Sequence, residues 1–256
     1  MANYYYSGQG TLYVADRDVN GLPDGLVSVG NVPSLELSIE TTKFEHKESE
    51  SGNRAVDLTI IQELKGTFSL ILESISAENM AMAFFGTLST ETGAAVVDEP
   101  VTINTADVKY ILANVNLNST IPATATDSVL AAMALGTDFT VDYSTGTITV
   151  LSTGTVPPAL PDTILVSYTF ISHYKTAAFT QTSVIKYFRF EGINTVDDLE
   201  VIVDVPKAEL DPAQNFPLIN DEIAQLTIAG TMLSDSLALA RIGSSFFTER
   251  RTQVVV

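Results

Sequence analysis

Apolar and polar residues alternate along most of this chain, which is the pattern of β-strands that bury one face. The first clear case is Ser34–Thr42, where leucine and isoleucine alternate with serine and glutamate. The turn-like sequence Tyr143–Gly146 precedes another apolar run and predicts a hairpin. The alternation predicts further strands at residues 55–64, 68–73, 148–150, 164–170, 185–190, 199–205, 226–228 and 246–256.

Helical signals are few and short. Ser76 can cap a helix, and apolar residues recur on one face up to a stop signal at Gly86. Two weaker segments, Asp127–Leu135 and a single turn at Pro206–Leu210, also have helical features. Many strands beside one clear short helix predict a mostly β fold, a sandwich or a barrel, rather than alternating βαβ units.

Composition divides the chain of 256 residues into three segments. Residues 1–86 carry 12 acidic and five basic residues, and residues 176–256 carry 11 acidic and six basic residues. Residues 87–175 carry only eight acidic and two basic residues and are rich in Thr, Ala, Ser and Val. We therefore expect 87–175 to be a β-rich domain inserted into a domain formed by the other two segments.

The net charge of −18 limits the partners of the chain. It repels the phosphate backbone of nucleic acids and anionic membranes. The same charge suits a protein past which DNA slides without adhering, and it also promotes solubility. The absence of Cys excludes disulfides and thiolate metal sites. Without an export signal or an apolar run of ~18 residues, we expect synthesis in a cytoplasm and no membrane span.

The sequence offers no assembled catalytic site. The two histidines, His46 and His173, lie apart from any Gly-x-Ser-x-Gly motif. Adjacent acidic pairs such as Asp98-Glu99 point to opposite faces of a strand and form no acid–base dyad. The stretch 16–21, DRDVNG, resembles a calcium loop, but Val27 stands where a bidentate Glu is required, so a turn explains it better. We expect no enzyme, no metal and no cofactor.

The charge-rich stretch Lys43–Arg54, KFEHKESESGNR, lies between two predicted strands, Ser34–Thr42 and Ala55–Leu64. It is too long for a tight hairpin turn and too polar for the core. Two interpretations remain. The stretch is either an exposed loop or a projecting arm that orders against a neighbouring subunit through its mixed charges.

Five stretches of the chain carry a family resemblance: GTLYVADRDVNGLPDGLVSVGNVPSLELSIE (10–40), the charged loop ending at Ser51-Gly52, GTFSLILESISAENMAMAFFG (66–86), VIKYFRFEGINTVDDLEVIVDVPKAEL (184–210) and NFPLINDEIAQLTIAGTMLSD (215–235). In this order and spacing they resemble the major tail tube proteins of long-tailed, siphovirus-like bacteriophages. The resemblance covers the first and last thirds of the chain, and residues 87–175 depart from the minimal family pattern.

The resemblance implies a tail-tube β-sandwich or barrel flanked by one short helix, with 87–175 as an added domain on the outer surface. It implies a structural virion protein whose hexameric rings stack into the hollow tail tube. Such a tube holds a tape-measure protein, meets tail-end proteins and passes DNA without binding it specifically. By this likeness the charged stretch contacts the adjoining ring through Lys43, Glu45, His46, Lys47, Glu48, Glu50 and Arg54. The termini link subunits through Tyr4, Tyr5, Tyr6, Arg250 and Arg251.

A second class of function stays open at this point, a virion-borne β-sandwich adhesin or carbohydrate-binding module. The Tyr-rich start and the Thr-rich insert suit it, provided that aromatic side chains are exposed. Phe246, Phe247, Arg250 and Arg251 are interleaved in a way that suits stacking on bases. An edge strand with protective charges is the simpler interpretation of these four residues.

Overall fold

The computed structural model describes residues 5–50, 52–156 and 159–252. It is mostly β, as predicted, and its sheets are antiparallel. The elements in chain order are β1 (Gly8–Arg17), β2 (Pro23–Ser28), β3 (Ser34–Lys47), β4 (Val56–Leu72), α1 (Ala77–Ala83), β5 (Thr87–Glu91), β6 (Ala95–Ile103), β7 (Lys109–Ile111), β8 (Thr124–Thr126), β9 (Ala132–Met133), β10 (Phe139–Asp142), β11 (Thr147–Val150), β12 (Asp162–Thr169), β13 (His173–Ala177), β14 (Ile185–Asn194), β15 (Leu199–Leu210), β16 (Leu226–Met232), α2 (Ser236–Ile242) and β17 (Thr248–Arg251).

The chain forms two compact units. The first unit comprises Met1–Thr87 and Thr176–Val256, and the second comprises Leu88–Lys175. These limits lie within one residue of the domain boundaries expected from composition. Each unit has a hydrophobic core of its own, so the second is inserted without interrupting the core of the first.

The first unit is built around an eight-stranded sheet that folds over on itself. Its strand order is β2-β1-β14-β15-β16-β4-β3, and β17 pairs with β15. Strand β15 pairs with β17 over Val201–Asp204 and with β16 over Ala208–Leu210, so it runs from one layer into the other. The rings of Phe68 in β4 and Phe188 in β14 meet edge to face, with 5.0 Å between their centres. In the order of the sheet, however, two strands, β15 and β16, lie between β4 and β14. The unit is therefore a sandwich with its core between the layers.

Helix α1 begins where the sequence predicts. The Ser76 hydroxyl accepts a hydrogen bond from the Asn79 N–H, which is the expected N-cap. The buried Asn79 amide donates to the carbonyls of Val29 and Ser74, and these bonds hold the helix against the sandwich. The helix ends at Ala83, slightly before the predicted stop at Gly86.

Two other predicted helices are wrong. Residues 127–135 form a turn and the short strand β9, because the buried Asp127 carboxylate accepts hydrogen bonds from the Val129 and Ala131 N–H groups. Pro206–Leu210 lies within β15. The register between β14 and β15 shifts there, so Pro206 occupies a bulge, where a residue without an N–H is tolerated in a sheet.

Helix α2 was not predicted, so the described residues contain two helices rather than one. Its ends carry recognisable caps: the Asp235 carboxylate accepts the Leu237 N–H, and Gly243 adopts a left-handed conformation. Its interior lacks an apolar stripe, since Leu237 and Leu239 are exposed while Ala238 is buried. The predicted strand 246–256 is shorter, with β17 ending at Arg251, and residues 253–256 lie outside the described part.

The second unit contains a four-stranded sheet, β6-β12-β8-β9, and a three-stranded sheet, β10-β11-β7. Phe139, Ile148, Ile164 and Val166 are fully buried in its core. The predicted turn after Tyr143 joins β10 to β11. The Ser144 and Thr145 groups that donate to Asp142 lower the pKa of its carboxyl below the usual range, so this turn is held by a charged acceptor.

Candidate functional site

The most distinctive feature of the first unit is a long hairpin formed by β3 and β4. The two strands pair from Ser34 opposite Ile71 to Lys47 opposite Val56. The inner half of the hairpin belongs to the sandwich, where Phe68, Leu70 and Leu72 are buried. In the outer half, residues 40–65, every described residue is exposed except Glu48, which is half-buried. We call this outer half the arm; at about 3.3 Å per residue its strands extend roughly 25 Å beyond the sandwich.

The arm presents apolar side chains to solvent. Phe44 lies directly opposite Ile60, and His46 lies opposite Leu58, on the same face of the hairpin. Phe44, Leu58 and Ile60 therefore form an exposed apolar cluster on a two-stranded ribbon. An isolated two-stranded hairpin is marginally stable in water, and contiguous exposed apolar surface marks interaction sites. The arm has the properties of a segment that is completed by a partner.

The charges of the arm are nearly balanced, unlike those of the whole chain. Residues 40–65 carry six acidic and four basic residues in a chain with a net charge of −18. His46 Nδ1 lies 2.6 Å from Asp57 Oδ1 across the hairpin, at a point where the register shifts. The hydrogen bond from His46 is the main cause that lowers the pKa of the Asp57 carboxyl. The arm therefore offers both signs of charge to a neighbouring surface.

The structure corrects the prediction of an exposed loop at 43–54. Lys43, Glu45, His46 and Lys47 belong to β3, and only the residues from Glu48 to Ala55 connect the strands. Glu48, Glu50 and Arg54 lie in this turn, and Arg54 has a positive φ of 49°. Ser51 lies outside the described residues. The strand was missed because both of its faces are exposed, so polar residues interrupt the alternation that would reveal it.

The predicted terminal residues meet each other within one chain. The Arg251 guanidinium lies 5.2 Å from the ring centre of Tyr6, a cation–π contact. The Asn194 side chain accepts the Ser7 N–H and donates to the Tyr5 carbonyl, which fixes the start of the described chain beside the β14–β15 turn. Tyr5 and Tyr6 remain exposed, whereas Tyr4 lies outside the described residues.

A buried charge network holds β17 on the sheet, and sequence reasoning did not find it. Asp204, only 1% exposed, pairs with Arg189 at 3.1 Å and also with Arg250. Burial, followed by the neighbouring Asp204 charge, raises the pKa of Tyr187 to about 12. The Glu191 and Asp204 carboxylates raise the pKa of Arg189, so Arg189 stays charged beside Asp204. Arg250 is therefore an anchor of the terminal strand, and a charge pattern in sequence cannot indicate this long-range pairing.

Comparison with known proteins places the chain in one family. The chain belongs to the family described as "Protein of unknown function UCP028589", whose model matches residues 5–250. No curated protein matches the chain. Among the described residues, no helix has the length and apolar character to cross a membrane. The part of the chain that the structure describes also contains no group of three His, Cys, Asp or Glu side chains suited to holding a metal ion.

Proposed function

We propose that this protein is the structural subunit of a bacteriophage tail tube, in which hexameric rings stack into a hollow channel for DNA. The likeness of five sequence stretches to major tail tube proteins supports the ring symmetry and the role in a virion tail. The single observation that carries the proposal is the arm, an exposed hairpin of about 25 Å with an apolar cluster and balanced charges.

The arm suits a contact between successive rings. The exposed side chains of Phe44, Leu58 and Ile60 supply apolar surface whose removal from water would favour the contact. The mixed charges of the arm can set the register of the contact. A projecting segment that seats on a different surface of the next copy makes a heterologous contact, and such contacts extend into open stacks. The contact residues Lys43, Glu45, His46 and Lys47 would then act from a strand rather than from a loop.

The sheet of the first unit has strand edges that further pairing would satisfy. In the described residues β3 pairs only with β4, and β17 pairs only with β15. Free edges are an aggregation hazard in a monomer, and pairing around a closed ring removes them. A net charge of −18 would let DNA travel along the channel without adhering to its wall.

The alternative of a carbohydrate-binding module requires exposed aromatic side chains. Of the six aromatic residues in the second unit, all within the described residues, only Tyr174 is exposed. Two aromatic residues beside each other would be needed to stack on successive sugars, and the second unit supplies one exposed ring. Tyr5 and Tyr6 of the first unit are also exposed, but the Tyr6 ring is already engaged by the Arg251 guanidinium. We therefore favour assembly over glycan binding, with the second unit on the outer surface of the tube.

Sedimentation velocity over a concentration series tests this function. We expect the fraction of protein in polymers to rise with the total protein concentration, because the proposed contacts join copies of one chain. A monomer at every concentration contradicts the proposal. Glycan titration by calorimetry, run on the same samples, tests the alternative, and we expect no heat of binding.

A further inference from the structure

The sandwich of the first unit is open along one side. A groove of about 700 Å³ lies there between the start of β1 and the start of β3. Leu12, Val32, Leu35, Leu37 and Phe190 contribute apolar side chains, and no lining residue is charged. Val32, Leu35, Leu37 and Phe190 also pack against the buried core, so the groove is a part of the core that is left uncovered.

Glycines in β1 and β14 lie beside the groove. Gly10 in β1 lies directly opposite Gly192 in β14, and Gly8 and Gly10 both line the groove. The ring of Phe190 occupies the place next to Gly192, where an added Cβ would lie 2.5 Å from it. An added Cβ on Gly10 would collide with the Glu191 carbonyl oxygen, so the close approach of β1 and β14 beside the groove requires glycine. Strand β3 also leaves one edge unpaired beside the groove among the described residues, so backbone hydrogen-bonding groups are available there.

A matching projection occurs on the same unit. Residues 211–225 connect β15 to β16 without a helix or strand, and their base is fixed by the Ala213 N–H, which donates to the Ala83 carbonyl. Leu218 is 78% exposed and Ile219 is 98% exposed at the tip. A long connection that displays aliphatic side chains fully to water is typical of a binding loop.

Charge restricts where two copies of this chain can touch. Each copy carries a net charge of −18, so their bodies repel each other. Residues 212–220, PAQNFPLIN, contain no charged side chain, and neither does the groove lining. The acidic residues of the loop, Asp211, Asp221 and Glu222, flank this stretch, so the tip of the loop and the groove can meet without placing acid against acid.

The loop and the groove lie near each other at one end of the sheet. The Gln225 amide at the end of the loop and the Asn31 amide at the groove both donate to the Glu73 carboxylate. A projection that seats in the groove of the next copy, rather than in its own, makes a heterologous contact, which closes into a ring when the rotation between copies allows it.

From these observations we propose that the loop 211–225 of one copy docks into the groove of the next copy, with Leu218 and Ile219 entering between β1 and β3. The proposal rests on the assembly proposed above and deepens it, because it names the contact between neighbours within one ring. The occupant of the groove is therefore a second copy of this chain.

Cysteine cross-linking tests the contact directly, because the chain contains no Cys and has no background. Ile219→Cys and Leu35→Cys are combined in one chain, and assembled protein is treated with a short bifunctional maleimide. We expect a ladder of covalent dimers, trimers and larger species, since each copy would be joined to two neighbours. The pair Ile219→Cys and Val19→Cys is the matched control, because Val19 is 95% exposed in the β1–β2 turn, away from the groove. Each single variant is also treated.

The outcomes separate this contact from the assembly itself. A ladder that requires both Ile219→Cys and Leu35→Cys supports the docking. Assembly of the wild-type protein without such a ladder overturns the docking and leaves the tail-tube function standing. A cross-link confined to single chains also overturns it, because the loop would then occupy its own groove. A wild-type protein that stays monomeric overturns both proposals.

A substitution series gives an independent readout. Ile219→Asp would place a charge in the groove of the neighbour, and we expect the concentration needed for assembly to rise about tenfold or more. Val19→Asp adds the same charge at an equally exposed valine and should leave that concentration within about twofold of wild type. Equal effects of the two variants would contradict the docking, because net charge alone would then explain them.

Discussion

Phe44 faces Ile60 directly across the β3–β4 hairpin, and the two side chains are 46% and 49% exposed. A cross-strand apolar pair of this kind stabilises a ribbon by up to about 1 kcal/mol. The pair also leaves about half of its apolar surface in water, which is unfavourable for a free arm. Covering this surface with a partner would be favourable.

The first prediction concerns the arm. Phe44→Ser with Ile60→Ser removes the apolar pair but no core residue, so we expect the melting temperature to change little and assembly into long polymers to be lost. Ile111→Ser in the second unit is the control, because Ile111 is also exposed on a strand. Sedimentation velocity measures the polymers. Polymers of wild-type length from the double variant would show that the arm makes no essential contact.

The second prediction concerns the charge network under β17. Asp204→Ala removes the buried carboxylate and leaves the partly buried Arg189 paired with Glu191, and we expect a loss of about 3 kcal/mol in the free energy of unfolding. Arg250→Ala should lower the free energy of unfolding by about 1 kcal/mol or less, because Arg250 is mostly exposed and Asp204 still forms its ion pair with Arg189. Urea denaturation of both variants measures the difference. A larger loss from Arg250→Ala than from Asp204→Ala would refute this assignment.

The third prediction concerns two buried tyrosines. Burial is the main cause that raises the pKa of Tyr168 and of Tyr187 to about 12. Both phenols lose their proton more readily in the unfolded chain, so the folded chain binds more protons between the two pKa values. Stability should therefore be full below about pH 10 and should fall as the pH rises towards 12.

Phenolate absorbance at rising pH measures this titration. We expect a late step with the amplitude of two tyrosines out of nine. Tyr168→Phe and Tyr187→Phe should each remove half of it. A late step that neither variant reduces would contradict the placement of these side chains.

The fourth prediction concerns the inserted unit. Leu88–Lys175 has its own sheets and a core in which Phe139, Ile148 and Ile164 are fully buried. We therefore expect residues 88–175, expressed alone, to fold and to unfold cooperatively with heat. Ile164→Ala should lower the free energy of unfolding of this fragment by about 2–5 kcal/mol. A fragment with the circular dichroism of an unfolded chain would contradict the division into units.

The sequence predicts a strand where apolar and polar residues alternate clearly, because one face is then buried and the other lies in water. Residues 34–39 and 68–72 alternate for this reason, and both lie in strands of the sandwich. In the arm, the strands predicted at 34–42 and 55–64 are present, but residues 43–47 were missed because both faces are exposed there and charged residues interrupt the alternation. Pro206 suggests a helix start, but the bulge opposite Tyr187 accommodates it within β15.

Long-range pairings explain the rest of what sequence reasoning misses. Asp204 is buried beside Arg189 and Arg250, and only the pairing of β14, β15 and β17 brings these residues together. The close approach of β1 and β14 beside the groove likewise depends on Gly10 meeting Gly192, which are far apart in the chain. The charged stretch could be selected from sequence as a contact site, whereas its strand geometry and its apolar cluster could not.

Negative-stain electron microscopy of the concentrated, purified protein tests the central claim most directly. The account predicts rings and hollow tubes of uniform width with a regular axial repeat. It also predicts that the Phe44→Ser, Ile60→Ser variant forms rings that do not stack, because the arm would join one ring to the next. Fields of single particles without rings or tubes at every concentration would contradict the tail-tube account.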